Sequence, residues 1–323
     1  RRSTPYGCVV GTTFFSPDGK RVAYIAMGYQ EQRKQTHVVI DSNHGKGYDG
    51  VSSEGVVFSP DSRRTAYVAI DENLSRVVLD GVEYGGYASA SCLTFSPNGA
   101  RVACIAEQGG RYMAVVDSWV GPQYDTIHDK YLVFSVKGGR FGYLALKDGK
   151  WRAVIDRAEQ EPHDMLTGLV FSRDGKRVAY AARDGRKWRV FVDGQPGGEY
   201  DAIHESGPVF GPDGVRVAYS AFKGGRWVVV VDGAESVPHD AVGACGVAFG
   251  PDGRRIVYPA RMGSHWCVFN DGKAGKSYDE VFASRGARVV FDTASSIHYV
   301  ARSGRRVLRV EQRLDAASED PDR

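Results

Sequence analysis

Short apolar runs separated by turn residues recur along the whole chain. The clearest copy is Val170-Phe171-Ser172-Arg173-Asp174-Gly175-Lys176-Arg177-Val178-Ala179-Tyr180-Ala181-Ala182, a strand, tight turn and strand. Its Phe returns at Phe15, Phe58, Phe95, Phe134, Phe210, Phe249 and Phe291. Its last Ala returns at Ala26, Ala69, Ala106, Ala145, Ala221, Ala260 and Ala301. Along the strand Val178, Tyr180 and Ala182 point one way and Ala179 and Ala181 the other, so both faces are apolar. A sheet of such strands needs a neighbour on each side.

The rest of each repeat reads as two more strands. A third ends in Asp, as in Trp188-Arg189-Val190-Phe191-Val192-Asp193, with Tyr112, Trp151, Trp188, Trp227 and Trp266 as its aromatics. An Asp-Gly step often follows, a tight-hairpin signal. A fourth strand is expected to open at a Tyr-Asp or His-Asp pair: Tyr48-Asp49, Tyr124-Asp125, His163-Asp164, Tyr200-Asp201, His239-Asp240, Tyr278-Asp279. The Phe anchors step by 37 to 43 residues, read from their numbers. That period predicts an all-β, eight-bladed β-propeller of four-stranded antiparallel blades over residues 1–313 as a single domain, followed by a frayed acidic tail at 314–323. The last copy lacks a fourth strand and the chain opens with half a repeat. Tyr6 to Val10 is therefore expected to complete the C-terminal blade and close the ring.

Composition changes this picture little. A net charge of +3 is too small by itself to imply nucleic acid, and no apolar run is long enough to span a bilayer. The chain begins with Arg1, consistent with processing, which leaves a removed leader open. Cys8, Cys92, Cys104, Cys245 and Cys267 match no zinc spacing and read as buried thiols, although Cys92 and Cys104 could face each other across a hairpin. The compartment stays open.

At Phe15-Ser16-Pro17-Asp18-Gly19-Lys20-Arg21-Val22-Ala23-Tyr24 the chain resembles the bacterial WD-repeat-like propellers of the TolB type, which repeat this turn in each blade. Phe134-Ser135-Val136-Lys137-Gly138 and Phe291-Asp292-Thr293-Ala294-Ser295 depart from the turn. The resemblance implies a non-catalytic interaction platform, a monomer, with a periplasmic or secreted setting favoured over the cytoplasm. Some relatives carry a serine peptidase, but Gly-x-Ser-x-Gly does not occur here. Eight repeats exceed the six usual for TolB, so its partner site does not carry over.

Residues present in every repeat are best explained by folding. Asp18, Asp61, Asp174, Asp213 and Asp252 read as turn formers rather than a carboxylate array, and the Asp of each Tyr-Asp pair as a cap. Neither a metal site nor a cofactor is expected. Function is sought where the copies differ. Strand order puts the hairpins between second and third strands on one face with the corners at the Tyr-Asp pairs. There Arg186, Lys187, Arg226, Arg261, Arg302, Arg305 and Arg306 form a basic arc, opposite Asp71 and Glu72. Longer loops on the same face add Arg33 and Lys34, then Phe282 and Arg285. The set suits an acidic protein partner. Nucleic acid is disfavoured because exposed aromatics for base stacking are lacking, and a small-molecule ligand is left undefined.

Two alternatives stand beside it. His128 and His204, at equivalent places, could serve a hydrolase or lyase at a channel mouth. A repeat lectin would show its aromatics on exposed positions, whereas these fall in strands. His163 and His239 replace Tyr and read as packing substitutes. Trp119 reads as a cover for its own hairpin or an exposed anchor.

Overall fold

The computed structural model describes residues 6–30, 33–282 and 288–314. They form eight antiparallel sheets, four of them with four strands in sequence order, and no α-helix occurs among them. Sheet 2 shows the pattern: Gly50–Phe58, Thr65–Asp71, Leu74–Leu79 and Val82–Tyr87. The chain divides into a first compact unit, up to Gln160, with sheets 1 to 4, and a second, from Glu161, with sheets 5 to 8.

The strand expected to open at each Tyr-Asp pair belongs instead to the first strand of the following sheet. Thr126–Ile127 and Val133–Phe134 both pair with Phe141–Lys147, so the run from Tyr-Asp to Phe is one broken edge strand. In sheet 5 the break is a bulge between Thr167 and Val170. The fourth strand is the short segment after the Asp-Gly hairpin, such as Gln195–Pro196 on Phe191 and Val192.

This shift corrects the expected ring closure. Tyr6–Phe15 is the complete first strand of sheet 1 and pairs with Val22–Gln30, Val9 facing Ala26 and Phe15 facing Val22. Its hydrogen bonds are made within its own sheet. Sheet 8 runs Glu280–Phe282, Val290–Thr293, Ser296–Ser303 and Arg306–Arg313. Of the tail expected to fray, Leu314 is buried and bonds to the Ser295 carbonyl at 2.8 Å, and 315–323 lies outside the described residues.

Within each unit every sheet packs face to face on the next. Ala103, Ile105 and Val116 of sheet 3 meet Phe141, Tyr143 and Val154 of sheet 4. Ala181 and Val190 of sheet 5 meet Tyr219, Val228 and Val230 of sheet 6. Each fully buried Val or Leu contributes roughly 1.5–3 kcal/mol, so two covered faces double what one sheet can gain. All eight repeated Ala residues are 2% exposed or less, which fits a place too narrow for a longer side chain.

A clamp repeats at the end carrying the Ser-Pro-Asp-Gly turns. Six Arg residues, each six residues after an anchoring Phe, reach the Asp that ends the third strand, as in Arg21–Asp41 at 2.7 Å, Arg101–Asp117 at 2.8 Å and Arg216–Asp232 at 2.9 Å. That Asp also accepts from the first amide of the second strand, Val102 N to Asp117 Oδ1 at 3.0 Å. It sits at positive φ, +55° for Asp117, so it opens the hairpin as well. The same Arg donates to the next sheet's turn, Arg101 Nη1 to Gly139 O at 3.2 Å, and lies over that sheet's Phe, Arg101 over Phe134 at 5.6 Å. Phe15 differs from the other anchors, at 66% exposed. Where the turn begins with Ser its Asp accepts from that hydroxyl, as Ser172 Oγ to Asp174 at 2.7 Å, and Asp213 and Asp252 accept backbone amides of their own turns, so all act as turn formers as expected.

Candidate functional site

The opposite end of each sheet carries the hairpins between second and third strands. In sheets 2 to 8 they are two-residue turns beginning at positive φ, with Gly185 at +59° and Gly304 at +58°. The Asp of each Tyr-Asp or His-Asp pair stands at the same end and bonds to the next hairpin. In the second unit Asp201 Oδ2 accepts from Gly224 N at 3.0 Å, Asp240 from Gly263 N at 2.6 Å and Asp279 from Gly304 N at 2.5 Å. The cap role is therefore found, and these staples set the hairpins of sheets 5 to 8 side by side.

The staple carboxylates also neutralise part of the basic arc. Lys187 Nζ lies 2.7 Å from Asp201 Oδ1, and Arg226 lies 2.5 Å from Asp240 Oδ1. Arg302 lies 3.2 Å from Glu280 and 3.9 Å from Asp279. The Lys187 ammonium and then the Gly224 amide hold Asp201 below its usual range, and Arg226 and Gly263 do the same for Asp240. Such exposed, solvent-screened pairs shape charge more than stability.

What remains is Arg186, Arg261, Arg305 and Arg306, all exposed and without an ion pair to another described residue. They stand on the hairpins of sheets 5, 7 and 8, which the Asp staples place on one end of the second unit. Lys34 is exposed in the first unit, opposite Tyr29 on the long hairpin of sheet 1. Phe282 is half-buried and pairs with Val300 as part of a strand, not a free loop. Arg285 lies outside the described residues, as does the side chain of Arg33.

His128 and His204 are committed locally. His128 Nδ1 lies 3.1 Å from Asp129 and its ring sits 5.9 Å from Trp151. His204 Nδ1 lies 3.0 Å from Ser206 Oγ and accepts from the Ser206 amide, with Trp227 at 5.5 Å. Burial holds His204 below its usual range. Each ring closes the turn between the two pieces of a first strand.

His163 and His239 are packing groups, as expected. Elsewhere a buried Tyr fills this place and meets a second Tyr edge-on, Tyr124 with Tyr143 at 6.0 Å, beside Val154. Where His stands, Phe replaces that Val: Tyr258 stacks on Phe269 at 5.2 Å and His239 meets Phe269 at 4.6 Å. The smaller ring is offset by the larger neighbour. Cys92, Cys104, Cys245 and Cys267 are free thiols. Among the described residues no group of three or more His, Cys, Asp or Glu is placed to hold a metal, and no helix is long and apolar enough to cross a membrane.

Sequence reasoning passed over two features. The clamp arginines were legible as an Arg six residues after seven of the eight anchors. Trp119 covers its own hairpin, its ring lying against Gly121, and it also reaches Phe141 of the next sheet at 5.5 Å. The one sequence signal for that reach is that Trp119 is aromatic where Asn43, Val82, Ala158, Gln195, Ala234 and Lys273 stand in the other copies.

The chain is similar to solved β-propeller structures. One is the β-propeller domain of the Trilobed protease from Pyrococcus furiosus, at 14% identity over 87% of this chain and 100% of that one, with a TM-score of 0.35. Another is the Cps50 (Swd1) β-propeller domain from Myceliophteria thermophila, at 14% identity over 79% and 95%, TM-score 0.31. A eukaryotic initiation factor is similar at 11% identity over 84% and 78%, TM-score 0.49. No family model and no curated protein matches the sequence.

Proposed function

We propose that the eight sheets are the blades of one WD-repeat-like β-propeller that acts as a non-catalytic scaffold and holds an acidic protein partner on the hairpin end of sheets 5 to 8. One observation carries the reading: Arg186, Arg261, Arg305 and Arg306 stand exposed without ion pairs among the described residues, while Lys187, Arg226 and Arg302 beside them are neutralised. Unpaired guanidiniums on, or in the strands flanking, rigid two-residue turns keep their charge and donors for a carboxylate surface, with little ordering required on binding.

Retention on immobilised polyglutamate tests this. The protein should be retained and should elute earlier as salt rises, because exposed charges are screened within about 8 Å at physiological ionic strength. The fourfold variant Arg186→Glu, Arg261→Glu, Arg305→Glu and Arg306→Glu should lose about tenfold or more in affinity with its thermal midpoint unchanged. Equal retention of both proteins would remove this end from the proposal.

A further inference from the structure

Sheets 2 and 3 meet in a cleft of about 340 Å³ whose walls include Leu79, Tyr84, Tyr87, Val102, Cys104 and Ser118. The cleft lies in the first unit, at the edge where a fourth strand passes the next sheet. It is mostly apolar, with Tyr84 45% exposed at its wall and the fully buried Cys104 at its floor.

The repeat provides a second copy of this cleft, between sheets 3 and 4, and there it is filled. Counting from the Asp of each clamp, Asp80, Asp117 and Asp156, Val82 corresponds to Trp119, and Ser118 to Arg157. Counting from the anchoring Phe, Val102 corresponds to Phe141. Trp119 sits against Phe141 at 5.5 Å with the Arg157 guanidinium over its ring at 5.4 Å. Between sheets 2 and 3 the same place has a Val that is 53% exposed, and space is left in front of Val102. A third copy, between sheets 5 and 6, is lined by Gln195, Pro196, Gly197 and Gly233 and has no aromatic wall from its fourth strand.

We propose that the cleft between sheets 2 and 3 binds a planar bicyclic aromatic small molecule of the indole class, in the position that Trp119 takes one sheet further on. Leu79 and Val102 cover its faces, Tyr84 and Tyr87 its edges, and Ser118 Oγ or the Asp117 carboxylate accepts its ring N–H. The site is separate from the arginine hairpins, so either assignment can fail alone.

The test uses indole itself as probe and the whole chain. Methyl NMR of the unsubstituted protein should show saturable shifts at Leu79 and Val102 as indole is added. Val82→Trp, which supplies the missing ring from within, should abolish those shifts and raise the thermal midpoint. Trp119→Val should lower the midpoint and open a second site, with indole restoring part of the loss. Shifts absent at Leu79 and Val102, or saturable shifts that persist in a folded Val82→Trp variant, would overturn the assignment. The NMR result on the unsubstituted protein decides the matter even where a variant fails to fold.

Discussion

The two ends of each sheet are held by the same chemistry in different amounts. At the clamp end one Asp ends the third strand, takes the next amide, binds the Arg and opens the hairpin, and the Arg continues to the next sheet. Four jobs on two side chains leave no room for variation, and seven Asp residues share this place from Asp41 to Asp271. At the hairpin end the Asp-to-amide staple and the positive φ of the first turn residue repeat, while the side chains flanking them vary. A position becomes available for binding where the backbone already satisfies itself.

The sharpest way to break this comparison is to delete one carboxylate at each end. Asp117→Ala should cost about 3 kcal/mol, from two charged hydrogen bonds and an Ala forced to positive φ. Asp240→Ala, which loses the Gly263 amide and the exposed Arg226 contact, should cost clearly less than Asp117→Ala. Urea unfolding of both decides it, and equal losses would end the distinction.

A second test asks whether the interior follows the same rule of shared jobs. His239→Tyr overfills its site and Phe269→Val empties it, each costing about 2 kcal/mol. Together they recreate the Tyr200, Tyr219 and Val230 arrangement of sheet 6, and the cycle should show a favourable coupling of about 1–3 kcal/mol. Burial, then Arg226, holds His239 below its usual range, so the folded state keeps it neutral. Its contribution is full above the unfolded value of about 6.5 and is lost as pH falls towards the depressed folded value. The double variant should lose less stability than the parent between pH 7.5 and 5, measured by urea midpoints. His204 titrates in both proteins and cancels.

The smallest effects should appear where the first strands break. Gly55, Gly168, Gly207 and Gly246 stand at equivalent places with φ between +65° and +72°, and Cys92 takes the same place at +56°. Cys92→Gly should stabilise by about 0.5–1 kcal/mol, less what its half-buried thiol gains from packing. Gly207→Ala should destabilise by about 1–2 kcal/mol, since an added Cβ would lie 3.1 Å from Gly168 Cα as well as at positive φ. Thermal melts that give both changes the same sign would show that the backbone does not set the residue there.

The repeat, the strand count, the turn chemistry and the two-faced burial were legible because Phe, Ala and Asp-Gly mark them in local sequence. The strand frame was not. Tyr-Asp looks like an opening because an aromatic starts an apolar run, yet Tyr124 closes sheet 3 by pairing with Tyr112 of its third strand, and Asp125 begins contact with the next sheet. The error moved Tyr6 to Val10 to the wrong sheet. The basic arc was visible as composition, but which of its members keep a free charge depends on staples spanning two sheets. Arg186 and Lys187 are neighbours in sequence, and only Lys187 reaches Asp201.

Those staples also bear on how the chain could assemble as it is made. Asp49, Asp125, Asp201 and Asp240 each close onto an amide 23 residues downstream. Loops of that size are cheap to close, and lengthening them would cost little more. A finished sheet thus presents a carboxylate ready for the hairpin between the second and third strands of its successor, before that third strand exists. Growth can proceed one sheet at a time from the N-terminus, with each addition gripped as soon as its second turn has formed and long unpaired edges kept brief.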